Sequence, residues 1–178
     1  MTKRFALHRE DGIQSRIQAL RESAAATQAA LLEALREPDG LTALARMKFE
    51  QIGHDPLDSS RRLNLIEQLN QTFTYLAAFK SAEFLFCKHT RITVLTLNLG
   101  NVSGWDIETP EDDGVVAEVF AAVTPANNQK LREDIKKVRA AAQKHRYVLF
   151  MSPGHREGPV SHQLAGNDVS VWSLGPAR

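Results

Sequence analysis

Cysteine is nearly absent: Cys87 is the single one among 178 residues. No disulfide can form within the chain, which fits a reducing compartment. Cys87 lies in Phe84-Leu85-Phe86-Cys87, where a small buried hydrophobe is its expected role. Neither charge sign is in excess. Against 21 Asp and Glu stand 22 Lys and Arg, a formal net charge of +1, so any nucleic-acid contact must come from a local patch. Long apolar runs are missing too. No stretch approaches the roughly 20 residues of a membrane span, and Met1 to Glu10 is charged, with no signal-peptide core. No membrane partner and a cytoplasmic location are expected. The six histidines show no i, i+4 pairing and no accompanying cysteines, which speaks against zinc. No Gly-x-Ser-x-Gly elbow, phosphate loop or dinucleotide fingerprint occurs.

What the chain does contain is an apolar fraction of 43%, enough for a core. Residues 12–36 place Ile13, Ile17, Leu20, Ala24, Leu31 and Leu35 at helical spacing. Pro38-Asp39-Gly40 ends that helix, and Asp39 can cap a second one over 41–52. The segment 54–60 reads as a loop. A third helix begins near Leu65, with Asn64 and Glu67 in capping-box positions, and ends near Lys88. There the apolar period changes from 3.6 to 2. Strands are expected at 92–99, 105–109 and 115–123, the last apolar on both faces and hence central. Pro110-Glu111-Asp112-Asp113-Gly114 joins the second and third as a hairpin turn. Asn127 or Asn128 can cap a helix over 128–143, a strand follows at 147–151, and 169–174 is a candidate edge strand. The expected fold is α/β. A helical N-terminal segment over 1–60 precedes an α-β-β-β-α-β core with a mixed sheet over 61–178.

Glu118 breaks its own pattern. Every neighbour in Val115-Val116-Ala117-Glu118-Val119-Phe120-Ala121 is apolar, and an ionised carboxylate there is costly unless paired or bound to a metal. A solvent-facing edge or a core Lys or Arg would each account for it. A metal is the third account. If 110–114 is the hairpin loop, Thr109 faces Val115 and Asp106 falls opposite Glu118, with Cα atoms roughly 4.5–5.5 Å apart. Two carboxylates there repel unless one is protonated or a cation sits between them. Hard oxygens at that spacing suit Mg²⁺ or Mn²⁺. A register slip of one would instead send Asp106 to solvent. The helix after this strand is basic through Lys130, Arg132, Lys136, Lys137 and Arg139. It can be a solvated face or a phosphate-contacting one.

The stretch from Leu65 to Met151 resembles the core of the PD-(D/E)XK, or restriction-endonuclease-like, superfamily. That core runs α-β-β-β-α-β, with an acidic residue on its second strand and Glu-x-Lys on its third. Asp106 and Glu118 match the acidic positions, and Glu67 is a candidate for a helix glutamate found in many members. Phe120 stands where the lysine belongs. Lys130 is the candidate to replace it, with Gln129 as a further polar group. The resemblance implies a nuclease hydrolysing DNA phosphodiester bonds, with Mg²⁺ or Mn²⁺ held by Asp106 and Glu118. It also implies catalytic assistance from Lys130 and Glu67, and DNA contacts from Lys130, Lys136, Lys137 and Arg139. Phe120 leaves open a catalytically silent binding or assembly module. The alanine-rich first helix, with the second, is a candidate homodimerisation arm.

Overall fold

The computed structural model describes residues 4–100, 103–111, 114–126 and 129–177. It is a mixed α/β structure whose chain divides into two compact units, Gln14–Leu76 and the combination of Met1–Ile13 with Ala77–Arg178. The division thus falls at 13/14 and 76/77 rather than after residue 60. The first of these boundaries follows from a strand that the sequence pattern did not disclose. Arg4–His8 forms β1 and pairs antiparallel with β4, Val94–Asn98. The first residues therefore belong to the sheet.

In the helical unit, α1 (Ile13–Ala34, counted here from Gln14) is followed by α2 (Gly40–Phe49). Asp39 caps α2 by accepting from Thr42 N–H at 2.7 Å. The Thr42 hydroxyl, and then that backbone bond, hold the Asp39 carboxyl below its usual pKa. The expected loop after α2 instead contains a small hairpin, β2 (Gly53–Asp55) and β3 (Asp58–Leu63). Its strands are too short and polar to show a period of two. Buried Gln68 fastens the hairpin: its Oε1 accepts from His54 N–H, while its amide reaches the Ser23 and Thr27 hydroxyls. Leu32, Leu35, Leu41, Leu44 and Phe49 are exposed. The last helix, α3 (Leu65–Lys88), begins under an Asn64 cap and contributes its final turns to the other unit.

In the sheet unit, β5 (Ile107–Glu108), β6 (Val115–Ala121), β7 (His145–Met151), β8 (Gly158–Pro159) and β9 (Ser170–Ser173) join β1 and β4. The strand order is β1-β4-β5-β6-β7-β9-β8. Pairings from β1 to β6 are antiparallel, β6–β7 and β7–β9 are parallel, and β8 closes the edge antiparallel. Strand β6 is central, as its unbroken burial requires. Between β6 and β7 runs α4 (Lys130–Arg139), shorter than the expected 128–143. Asn127 and Asn128, expected as its cap, lie outside the described residues.

The register assigns residues to two faces. Leu7, Leu95, Leu97 and Ile107 point to one face and are fully buried. The last turns of α3 meet that side, where Phe84 packs on Tyr147 and Trp172. On the opposite face, α4 seals β6 and β7 through Leu131, Ile135 and Val138 against Val116, Phe120, Val148 and Phe150. Over β1, β4 and β5 this second face is polar. It carries Arg4, Thr96 and Glu108, with an Arg4–Glu108 ion pair at 2.6 Å. Cys87 is exposed rather than buried, because Leu85 and Phe86 take the inward positions of the turn. Among the described residues no helix is long and apolar enough to cross a membrane.

Candidate functional site

Asp106 and Glu118 meet on the polar face, at the line where α4's cover begins. The register pairs Ile107 with Ala117 and Glu108 with Val116, so the next pair outward is Asp106 with Glu118. Asn98 N–H donates to Asp106 C=O at 2.8 Å and extends the ladder on the other side. A row of side chains therefore crosses the sheet in the order Arg4, Asn98, Asp106, Glu118, since facing residues in register share a face. Asp106 is fixed by accepting from Val119 N–H through Oδ2 at 2.8 Å.

From the helix side, Lys137 reaches this row. Its Nζ lies 2.6 Å from Glu118 Oε1 and donates also to Gly104 C=O at 2.8 Å. The ammonium sits over the Trp105 ring, 5.3 Å from the centroid. One turn back, Asp134 is buried and receives Lys130 at 2.6 Å. Lys130, Asp134 and Lys137 recur at intervals of four and three, so they form one stripe of α4. That stripe is turned onto the strand carboxylates.

Three carboxylates and two ammonium groups thus share one site. Burial, then the field of Asp106, pushes the Glu118 carboxyl up to about 7, against the opposing pull of Lys137. Burial also raises Asp106, despite the Val119 N–H and both lysines. Asp134 is raised by burial too, with Lys130 opposing. Burial works against the Lys130 ammonium, yet its hydrogen bond to Asp134 and the carboxylate fields raise its pKa overall. One buried oxygen, Asp134 Oδ2, has no hydrogen-bond partner among the described residues.

The donor set suits a hard divalent cation. Asp106 and Glu118 each engage one oxygen in the contacts above, and their mutual repulsion is what a cation relieves. Among the described residues no group of three or more Asp, Glu, His or Cys side chains is placed to hold a metal. A cation here would therefore take the pair and complete its shell with water, as Mg²⁺ commonly does.

The other expected site residues are distributed differently. Lys130 joins the cluster, but its direct partner is Asp134, and Lys137 is the lysine at Glu118. Glu67 lies exposed in the helical unit at the first turn of α3, where its N–H is capped by Asn64 Oδ1 at 2.8 Å. That bond is the Asn64 half of the expected capping box. Arg139 donates to Leu164 C=O, and Lys136 is exposed. Of the four basic residues, Lys130 and Lys137 thus turn toward carboxylates, while Lys136 and Arg139 do not. Asn98 and Asp134 were not anticipated. The signal for Asp134 was its position four after Lys130 and three before Lys137. The signal for Asn98 was a lone amide closing an apolar strand. In comparisons with protein-family models, curated proteins and solved structures, the chain matches none.

Proposed function

We propose that the sheet unit is a divalent-metal-dependent nuclease-like domain that hydrolyses DNA phosphodiester bonds. The observation that carries this reading is the 2.6 Å contact between Lys137 Nζ and Glu118 Oε1, beside an Asp106 opposed in register. It brings a lysine from the helix to the carboxylate whose own strand offers only Phe120. The order α3-β4-β5-β6-α4-β7 supports the same reading, as it follows the α-β-β-β-α-β core of restriction-endonuclease-like proteins. In this reading Asp106 and Glu118 hold Mg²⁺ or Mn²⁺. The bound ion supplies Lewis acidity toward a phosphate oxygen and a water of lowered pKa. Lys137 and Lys130, each about half exposed, offset negative charge developing on the phosphate. The open polar face over β1, β4 and β5 gives the strand its approach, and Lys136 remains available for a phosphate.

A second reading rests on the same contacts. Both lysines already neutralise carboxylates within the protein, which is what a catalytically silent binding or assembly module would retain. Calorimetric titration with Mn²⁺, on wild type and Glu118→Ala, separates the two. The nuclease reading expects heat from wild type only, and cleavage of plasmid or single-stranded DNA that Asp106→Ala abolishes. Equal heats from both proteins would end the metal site. Metal binding without cleavage would leave the silent module. The exposed leucines of α1 and α2 are compatible with a second copy docking there, which would give a duplex two sites. Light scattering showing a strict monomer at high concentration would remove that part.

A further inference from the structure

A concave site lies at the end of the sheet where β4, β6 and β7 begin. It is a cleft of about 760 Å³, within the size range of small-molecule sites. Lys88, Arg91 and Lys144 line it together with His89 and His145, and Glu111 is the sole acidic residue among its described lining. Three cationic side chains thus stand against one carboxylate among the described lining. The two imidazole rings lie 4.5 Å apart between centroids, tilted by 48°. His89 is held by the Tyr147 hydroxyl at 2.8 Å. Lys88 is steadied over the Phe84 and Trp172 rings, at 5.9 and 5.6 Å.

Arg9, which is not part of the lining, fixes the loop after α3 through that loop's carbonyl oxygens. Its Nη2 donates to His89 C=O at 2.9 Å and to Ile92 C=O at 2.7 Å, and its own N–H donates to Thr93 C=O at 2.8 Å. Arg9 is in turn anchored over the Phe86 ring. Beside the cations, Ile92, Val94 and Pro110 supply an apolar stretch. Burial, followed by the fields of His145 and Lys88, lowers the His89 pKa and favours its neutral ring.

We propose that this cleft binds the phosphate monoester of a nucleotide, with Lys88, Arg91 and Lys144 on the phosphate and the histidine pair and apolar stretch against the base. The chemistry follows from the parts. A dianionic head matches clustered cations, and a flat ring matches imidazole and aliphatic surface. The site is separate from the carboxylate pair. Neither Asp106 nor Glu118 lines the cleft, and Gly114, just before β6, precedes Glu118 by four residues, roughly 13 Å at about 3.3 Å per residue. The proposal therefore stands whether or not Asp106 and Glu118 hold a metal.

The test is calorimetry on the full chain in EDTA, which leaves any metal site out of the measurement. The probes are adenosine 5′-monophosphate, adenosine, inorganic phosphate, and a short oligothymidylate with and without a 5′-phosphate. The monophosphate should bind about tenfold or more tightly than adenosine or inorganic phosphate alone. The surface double variant Arg91→Ala/Lys144→Ala should weaken it by about tenfold or more, while Arg36→Ala, exposed and outside the cleft lining, leaves it unchanged. A 5′-phosphorylated oligonucleotide exceeding the monophosphate identifies a strand end as the source. Equal binding identifies a free nucleotide, and both results support the cleft. No binding of either phosphorylated probe, or binding indifferent to the Arg91/Lys144 double variant, would overturn it. Inorganic phosphate binding as tightly as the monophosphate would overturn the nucleotide assignment.

Discussion

Lys137 and Glu118 are joined at 2.6 Å across the packing of α4 on β6, with the lysine side chain 45% exposed and the glutamate side chain 3% exposed. The pair is asymmetric: the ammonium keeps water, and the carboxylate loses nearly all of it. Removing the lysine should therefore matter most where Glu118 is ionised. Lys137→Met takes away the hydrogen bond and the field that lower the Glu118 pKa. The expected loss of stability is on the order of 2 kcal/mol near pH 8.5, after discounting for solvent around the lysine. Near pH 5 the carboxyl takes up a proton and the loss should be clearly smaller. Urea unfolding at the two pH values measures this, and an equal loss at both would show that charge pairing does not hold the contact.

The pH dependence of the wild type follows from the same residue. The Glu118 pKa rises from 4.5 to about 7 on folding, through burial first and Asp106 second. A carboxyl with a raised pKa binds more protons in the folded state. Its contribution is fully present below the unfolded value of 4.5 and is lost as pH rises through about 7. The span corresponds to a swing on the order of 3 kcal/mol. Glu118→Gln cannot ionise, so its unfolding free energy should be flatter than wild type across that window. Parallel wild-type and variant curves would show that another group sets the dependence.

Much of this architecture was legible because it rests on local signals. The change of period after Lys88, the turn chemistry of 110–114 and the unbroken apolar run around Glu118 located β4, β5 and β6. Counting back from the turn opposed Asp106 to Glu118. What could not be read depends on contacts distant in sequence. Arg4–His8 is a strand only because β4 offers it an edge, and the β2–β3 hairpin is held by Gln68 from α3. The direction of the α4 stripe was hidden for a similar reason. Lys130, Asp134 and Lys137 look like a solvated face until the buried carboxylate below them is known. Their spacing is informative, but the partner lies on another element.

The start of α3 supplies a test of local structure. Asn64 Oδ1 accepts from Glu67 N–H at 2.8 Å and satisfies one of the helix's unpaired donors. Asn64→Ala should cost about 1 kcal/mol, while Asn64→Ser or Asn64→Asp should recover most of it. Because Glu67 stands exposed at the first turn, Glu67→Ala should leave metal affinity unchanged in the calorimetric titration. A loss of metal heat in that variant would restore Glu67 to the site.

Asp134 is the remaining charge in the cluster, and its effect on Glu118 can be read directly. It is buried, its Oδ1 accepts from Lys130 at 2.6 Å, and its Oδ2 has no partner among the described residues. Its field raises the Glu118 pKa. Asp134→Asn keeps the shape of the side chain and removes that negative charge, so Glu118 should ionise at lower pH than in wild type. Two opposing consequences bear on stability. Lys130 loses its ionic partner, but its ammonium is half exposed and solvated, so this loss is small. Glu118 meanwhile suffers less repulsion when ionised, and that gain appears only above its pKa. The variant should therefore be most disadvantaged at acid pH and recover toward wild type as pH rises. Side-chain carboxyl carbon titration by NMR gives the Glu118 midpoint, and urea unfolding across the same pH range gives the stability. A midpoint that stays in place, or moves upward, would show that Asp134 does not act on Glu118 through its charge, and the three carboxylates would then have to be treated as separate sites.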